Sequence, residues 1–166
     1  MIRIARATEK DAAELAALRT GVAAKLTARY GTGHWSSAVS EKGVLRGIAE
    51  SAVIVLLDDD VIVATLRLAK KKPWAIDRAY FQKSRNPLYL TDMAVLATRQ
   101  GEGLGRKCIA AADDYANENS VDAIRLDAYD SPAGAGGFYA RCGFNEVGRV
   151  EYRRVPLIYY ERTLGD

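Results

Sequence analysis

Cysteine is nearly absent: Cys108 and Cys142 are the two in 166 residues. That is too few for a disulfide framework, so free thiols in a reducing compartment, the cytoplasm, are expected. Histidine is scarcer still, with His34 alone beside Trp35, and one imidazole supports neither a histidine metal cluster nor a Ser-His-Asp triad. No metal is expected. No apolar run approaches the ~20 residues of a bilayer-spanning helix, and Met1-Ile2-Arg3-Ile4-Ala5-Arg6 lacks the apolar stretch of a secretory leader. A soluble protein without a membrane partner follows. An excess of one charge is missing too: 24 Lys and Arg against 21 Asp and Glu leave +3, too little to argue for nucleic acid, though mildly favourable to an anionic ligand. Repeats, linkers and low-complexity tracts are also missing. With 49% hydrophobic residues, residues 1–166 read as a single domain able to bury a substantial core.

What is present is an alternation of element types. Ile2 and Ile4 flank Arg3 as in a short strand, and Thr8 with Asp11 three residues on marks a helix start. Leu15, Leu18, Val22 and Leu26 then recur at helical spacing until Gly31-Thr32-Gly33. Residues 36–51 predict a second helix carried by Val44, Leu45 and Ile48, although Gly43 and Gly47 inside it each cost about 1 kcal/mol relative to Ala. Residues 52–57 and 61–68, rich in β-branched side chains and separated by Asp58-Asp59-Asp60, predict a hairpin. The acidic triplet reads as a solvated turn rather than a metal site. Residues 70–87 carry Pro73, Trp74, Phe81 and Asn86 without a period and predict a long loop. Lys70-Lys71-Lys72 in it is a solvated run, with an acidic substrate or a nucleotide phosphate as the alternative. Residues 88–95 then predict a strand, and Leu104, Cys108, Ala111, Ala112 and Tyr115 mark the face of a helix closed by Asn119-Ser120. Another strand follows over 123–129, so strand, helix and strand predict a right-handed parallel crossover and, with the hairpin, a mixed sheet. One short helix over 132–141, ended by Gly143, precedes strands over 144–150 and 155–162.

The most informative stretch joins Asp92-Met93-Ala94-Val95 to Gln100-Gly101-Glu102-Gly103-Leu104-Gly105-Arg106. A strand that feeds a glycine-rich turn into a helix N-terminus gathers unpaired N–H groups and the positive end of the helix dipole around an anion, first of all a phosphorylated ligand. Glycine serves there because a pyrophosphate approaches the backbone closely and because such turns use φ > 0. The spacing of glycines at 101, 103 and 105 does not fit the dinucleotide pattern Gly-x-Gly-x-x-Gly, and no Walker A lysine-serine pair is present.

These residues resemble the GNAT superfamily, the GCN5-related N-acetyltransferases, over nearly the whole chain. Gln100-Gly101-Glu102-Gly103-Leu104-Gly105 fits that family's Arg/Gln-x-x-Gly-x-Gly/Ala acyl-CoA motif, and Phe138-Tyr139-Ala140-Arg141-Cys142-Gly143-Phe144 looks like its Phe/Leu-Tyr-x-x-x-Gly-Phe segment. The order of elements is the third match. The resemblance implies an α/β fold with a mixed, splayed central sheet, an acyl-CoA-binding crossover helix and a C-terminal hairpin. It also implies acetyl-CoA as co-substrate and direct transfer of the acetyl group to an amine in a ternary complex. On that reading the amides of Gly101, Glu102, Gly103, Leu104 and Gly105, with Arg106, hold the pyrophosphate, and Gln100 opens the motif. Backbone groups of Met93, Ala94 and Val95 pair with the pantetheine arm, and an N–H near Ala94 or Val95 serves the oxyanion.

A lysine-like amine has a reference pKa of ~10.4 and needs a base or a desolvating pocket before it can attack. Asp92 is the candidate base, acting directly or through a water, and Tyr139 is the candidate acid for the departing thiolate. The bland readings are a satisfied carboxylate for Asp92 and a buried ring beside Phe138 for Tyr139. One departure stands out: Pro132 occupies the position seven residues before the tyrosine where many relatives have asparagine. Any contact made by that amide is absent here or supplied by Ser131 or Asp130.

The acceptor amine is open: small amines, amino acids, antibiotics and protein N-termini or lysines are all processed on this scaffold. Trp35, Trp74, Phe81, Tyr152 and Tyr159 lie in segments that could line its pocket. Cys108 and Cys142 read as packed residues rather than acyl carriers. Tyr159 and Tyr160 give the terminal hairpin an aromatic face suited to a homodimer. A noncatalytic acyl-CoA-binding sensor is the reading from another class, and a nucleic-acid-associated protein ranks last.

Overall fold

A computed structural model describes residues 1–165. Among them seven strands and four α-helices succeed one another: β1 (Ile2–Arg6), α1 (Ala12–Tyr30), α2 (Glu41–Glu50), β2 (Ala52–Asp58), β3 (Val61–Ala69), β4 (Pro87–Val95), α3 (Leu104–Glu118), β5 (Ala123–Tyr129), α4 (Gly136–Arg141), β6 (Asn145–Tyr152) and β7 (Val155–Thr163). The strands follow the order β1-β2-β3-β4-β5-β7-β6. The β4 and β5 pair is parallel and the pairs β1·β2, β2·β3, β5·β7 and β6·β7 are antiparallel, so the sheet is mixed, as expected. None of the described helices is long and apolar enough to cross a membrane.

The chain divides into two compact units. The first comprises Met1–Leu68 and Asp92–Ala112. Its helical entry is held by the Asp11 carboxylate, which accepts from the Thr8 amide at 2.8 Å, and α1 stops at Gly31, whose φ of 84° only glycine adopts easily. Leu15 and Leu18 of α1 and Val44 of α2 pack with Val53, Val55 and Leu57, alternate residues of β2, in one apolar cluster. The second helix starts later than the expected residue 36. The Ser36 hydroxyl is taken by the Gly33 amide at 2.9 Å and the Thr27 hydroxyl at 2.7 Å, and Ser40 caps α2 instead by accepting from Gly43 at 3.0 Å. Asp59 and Asp60, with φ of 47° and 67°, make the two-residue turn between β2 and β3.

The second unit comprises Ala69–Thr91 and the segment from Asp113 onward. Here β4 pairs with β5 from Pro87 to Tyr89, β5 lies along β7, and β7 returns from β6 through Arg153 and Arg154, both at positive φ. The expected loop 70–87 carries one short 3-10 turn and is packed rather than loose: its Ile76 and Phe81 are buried with Tyr89 and Tyr159. It is also tied down by charge. Arg125 donates to Glu161 at 2.9 Å, to the Tyr89 hydroxyl at 3.1 Å and to the Gln82 carbonyl at 2.6 Å, while the Gln82 amide donates to Glu161 at 3.1 Å. The helix expected over 132–141 keeps only its second half. The Gly134 amide turns back to the Ser131 carbonyl at 2.9 Å, and a Cβ at Gly134 would run into the Tyr129 carbonyl, so the chain bends before α4 begins. The aromatic face expected of Tyr159 and Tyr160 is not on the surface. They are 1% and 7% exposed, filled in by the protomer's own packing, and that argument for a dimer falls.

Candidate active site

The predicted glycine turn lies wholly in the first unit. Gly101 and Gly103 adopt φ of 85° and 80°, and nothing stands within 4 Å of a Cβ built on either. The Lys107 amide reaches the Gly103 carbonyl at 3.3 Å, the first bond of α3. The amides of Gly103, Leu104, Gly105 and Arg106 ahead of it are therefore the donors that a helix N-terminus leaves without intrahelical partners. They open where two glycine positions leave space, which fits a diphosphate. Leu104 itself is buried and anchors the turn, whereas Gln100, Gly101, Glu102 and Arg106 are exposed.

Two side-chain brackets hold this turn. Lys25 of α1 donates to the Ala97 carbonyl at 2.9 Å and to the Gln100 side chain at 2.8 Å, and Gln100 in turn donates to the Val95 carbonyl at 3.2 Å. Gln100 thus ties the turn to the end of β4. Arg99 joins Glu102 at 2.9 Å to Asp58 at 3.1 Å, and its guanidinium holds the Asp58 carboxyl below the usual carboxylate range. Glu102 is thereby committed to a positioning contact.

Met93, Ala94 and Val95 are half-buried at the end of β4, and Asp92 precedes them at φ 55°. A left-handed residue inside a strand costs on the order of 1–3 kcal/mol and persists only where its surroundings hold it. Two guanidinium groups do so: Arg19 Nη2 lies 3.0 Å from Asp92 Oδ1 and Arg67 Nη1 lies 3.8 Å from Oδ2. The trio lines a small, partly open cavity whose walls include Gly43 and Gly47 of α2 and Thr65 and Leu66 of β3. The sequence reading singled out Asp92 but missed Arg19 and Arg67. Both left a signal: Arg19 sits four residues after Leu15 on the apolar side of α1, and Arg67 interrupts the apolar run of β3.

Tyr139 belongs to the second unit. It is 7% exposed on α4, with the rings of Phe138 and Phe144 at 5.5 and 5.8 Å and that of Tyr160 at 6.3 Å. Near the departure at Pro132, the structure separates the two substitutes. The Asp130 carboxylate is 3.5 Å from Arg149, whereas the Ser131 hydroxyl is closed to solvent with no hydrogen-bond partner among the described residues. Of the candidate pocket aromatics, Trp74, Tyr152 and Tyr159 line an open groove of this unit, but Phe81 is buried against Tyr159 and under the Arg125 guanidinium. Trp35 lies in the first unit, its indole donating to the Gly31 carbonyl at 3.0 Å. Burial pushes the Cys108 thiol up to about 12, which removes it as a nucleophile near neutral pH.

This architecture recurs in solved structures. Ribosomal-protein-alanine N-acetyltransferase from Brucella melitensis superposes with a TM-score of 0.75 at 19% identity, covering 98% of this chain and 99% of that one. The PaiA N-acetyltransferase from Thermoplasma acidophilum, in complex with coenzyme A, gives 0.76 at 12% identity with 99% of each chain covered. YncA from Salmonella typhimurium, with its cofactor acetyl-CoA, gives 0.71 at 17% identity, covering 99% and 95%. At such identities the likeness is one of fold, and no curated protein sequence matches the chain significantly. The family model described as the acetyltransferase (GNAT) family matches residues 22–144, which take in the glycine turn, Asp92 and Tyr139. The chain belongs to the GNAT acetyltransferase family.

Proposed function

We propose that this chain, as one domain over residues 1–166, transfers the acetyl group of acetyl-CoA to an amine by direct attack in a ternary complex, in the cytoplasm. The observation that carries the reading is the set of orphan amides from Gly103 to Arg106, opened by glycines at positive φ directly after β4. In the proposed complex these amides, with those of Gly101 and Glu102 and the Arg106 side chain, receive the diphosphate, while Gln100 keeps the turn in register. Backbone groups of Met93, Ala94 and Val95 pair with the pantetheine arm.

The amine arrives as an ammonium and gives one proton to Asp92, directly or through a water. The freed nitrogen attacks the acetyl carbon, an N–C bond forms and the C–S bond breaks. An N–H near Ala94 or Val95 supports the charge that develops on the acetyl oxygen. Tyr139 supplies the proton that turns the departing thiolate into a thiol and is reprotonated by the second proton leaving the nitrogen, so one proton is released per turnover.

The test is a thiol-release assay with acetyl-CoA over a panel of amines, with acetyl-CoA binding measured alongside by calorimetry. Binding with turnover that Tyr139→Phe lowers at least tenfold upholds the reading. Binding without thiol release from any amine converts the chain into a noncatalytic acyl-CoA sensor. Absence of binding, or retained binding after both Gly101→Val and Gly103→Val, overturns the placement of the diphosphate.

A further inference from the structure

Three charged side chains meet at the cavity of the first unit, and they are not equally occupied. Arg67 is the more tied of the two arginines: its Nε donates to Ser51 at 2.6 Å, and Nη1 and Nη2 face Asp92 at 3.8 Å and Glu50 at 4.0 Å, charge contacts beyond hydrogen-bond reach. Arg19 has one partner among the described residues, Asp92 at 3.0 Å, although a guanidinium carries five N–H donors. Its side chain is 24% exposed and lines the cavity. Opposite, α2 offers no side chain at Gly43 and Gly47, one helical turn apart. A Cβ at Gly47 would stand 3.5–3.7 Å from the Arg67 guanidinium, an ordinary contact, so packing does not demand glycine there and helix propensity opposes it. A Cβ at Gly43 would crowd the capping Ser40 oxygen at 3.2 Å, so it is at Gly47 that the missing side chain supplies room.

Charge balance narrows what fits that room. Arg19 and Arg67 are matched by Asp92 and Glu50, so a simple ammonium would bring an uncompensated positive charge beside two guanidinium groups. A ligand carrying its own carboxylate would not. The geometry points to an acceptor that bears a carboxylate next to its amine, an amino acid, whose carboxylate is received by the spare donors of Arg19 while its ammonium faces Asp92. Guanidinium and carboxylate match bidentately, which gives this recognition its strength and direction. The assignment rests on acetyl transfer as the function and deepens it. Asp92 is followed at once by Met93, where the backbone proposed for the pantetheine arm begins, so an amine held at Asp92 lies on the strand that would present the thioester. Arg67, anchored by Ser51 and 3.8 Å from Asp92, is a positioning residue for Asp92.

The experiment compares L-amino acids with their own carboxamides as acceptors, pairs that differ in one charge. In thiol release with acetyl-CoA, a tenfold or greater preference in kcat/KM for the acid is expected for the best side chain. In Arg19→Gln that ratio falls toward one, chiefly through KM of the acid. Equal use of acid and amide by the native protein, or an Arg19→Gln variant that loses both alike, overturns the inference. A second readout needs no turnover: with coenzyme A present, N-acetyl amino acids should bind more tightly than N-acetyl amino amides by calorimetry, and Arg19→Gln should erase the difference. If acetyl-CoA binds and no amine is acetylated, the transfer reading fails, and this binding comparison still upholds or overturns the carboxylate site. Circular dichroism of Arg19→Gln confirms that the variant is folded.

Discussion

Arg125 and Arg19 each face a carboxylate at about the same distance, 2.9 Å for Glu161 and 3.0 Å for Asp92, yet their surroundings differ in every other respect. The Arg125 pair has side chains only 5% and 3% exposed, and a hydroxyl, a carbonyl and an amide complete its hydrogen bonds. The Asp92 cluster is a quarter to a third exposed, opens on a cavity, sits on a backbone outlier and leaves Arg19 under-used. The same two functional groups thus fasten a loop in one place and line an open cavity with donors to spare in the other. What separates the two roles is saturation: an ion pair whose donors and acceptors are all satisfied has nothing left to offer a substrate.

Substitutions can break this contrast. The largest effect should come from Asp92→Asn, which keeps a side chain tolerant of the left-handed region and removes the charge. If Asp92 takes the amine's proton, kcat/KM falls by about 10²–10⁴ with little change in melting temperature. An unchanged kcat/KM would remove Asp92 as the base. Glu161→Ala should behave in the opposite way. It leaves the buried Arg125 charge unpaired and costs about 3–5 kcal/mol of stability in urea unfolding, while Arg19→Gln, in the exposed cluster, costs about 1 kcal/mol or less. Similar losses for both would erase the distinction.

A smaller effect, dependent on pH, is expected at Asp122. The Ser84 hydroxyl and the amides of Arg85 and Asn86, at 2.9 and 3.1 Å, hold its carboxyl below the usual range, fastening the other end of the long loop. Because the folded value lies below the unfolded one, the stabilisation is complete above about pH 4 and disappears as pH falls through the folded value. Asp122→Asn should cost roughly 1–2 kcal/mol at pH 7 and flatten the acid limb of a stability curve. The smallest change should come from Gly47→Ala, which should raise stability by up to about 1 kcal/mol through helix propensity while weakening acceptor binding, a trade that a purely structural glycine would not show.

Much of the fold was legible because its signals are local. Periodicity in α1, β-branching in β2 and β3 and the glycine turn before α3 each report on neighbours in sequence. The late start of α2 was not legible, since Ser36 is claimed by Thr27 and Gly33 through the fold of the preceding turn. Nor was the shortened α4, which depends on the Tyr129 carbonyl leaving no room at Gly134. The aromatic face assigned to Tyr159 and Tyr160 failed for the same kind of reason. Strand alternation says which residues share a face but not that Ile76 and Phe81 from a loop come to cover Tyr159. In the candidate site, motif residues announced themselves, whereas Arg19 and Arg67 are 48 positions apart and acquire meaning only when helix and strand bring both to Asp92.

The contrast between the two cysteines has a practical consequence. Cys108 is fully enclosed on α3 with its thiol held protonated, while Cys142 is half-buried beside Gly143. A chromogenic thiol reagent should therefore count one sulfur per native chain and two per unfolded chain. Product detection and a tally of intact enzyme can then be read in the same cuvette.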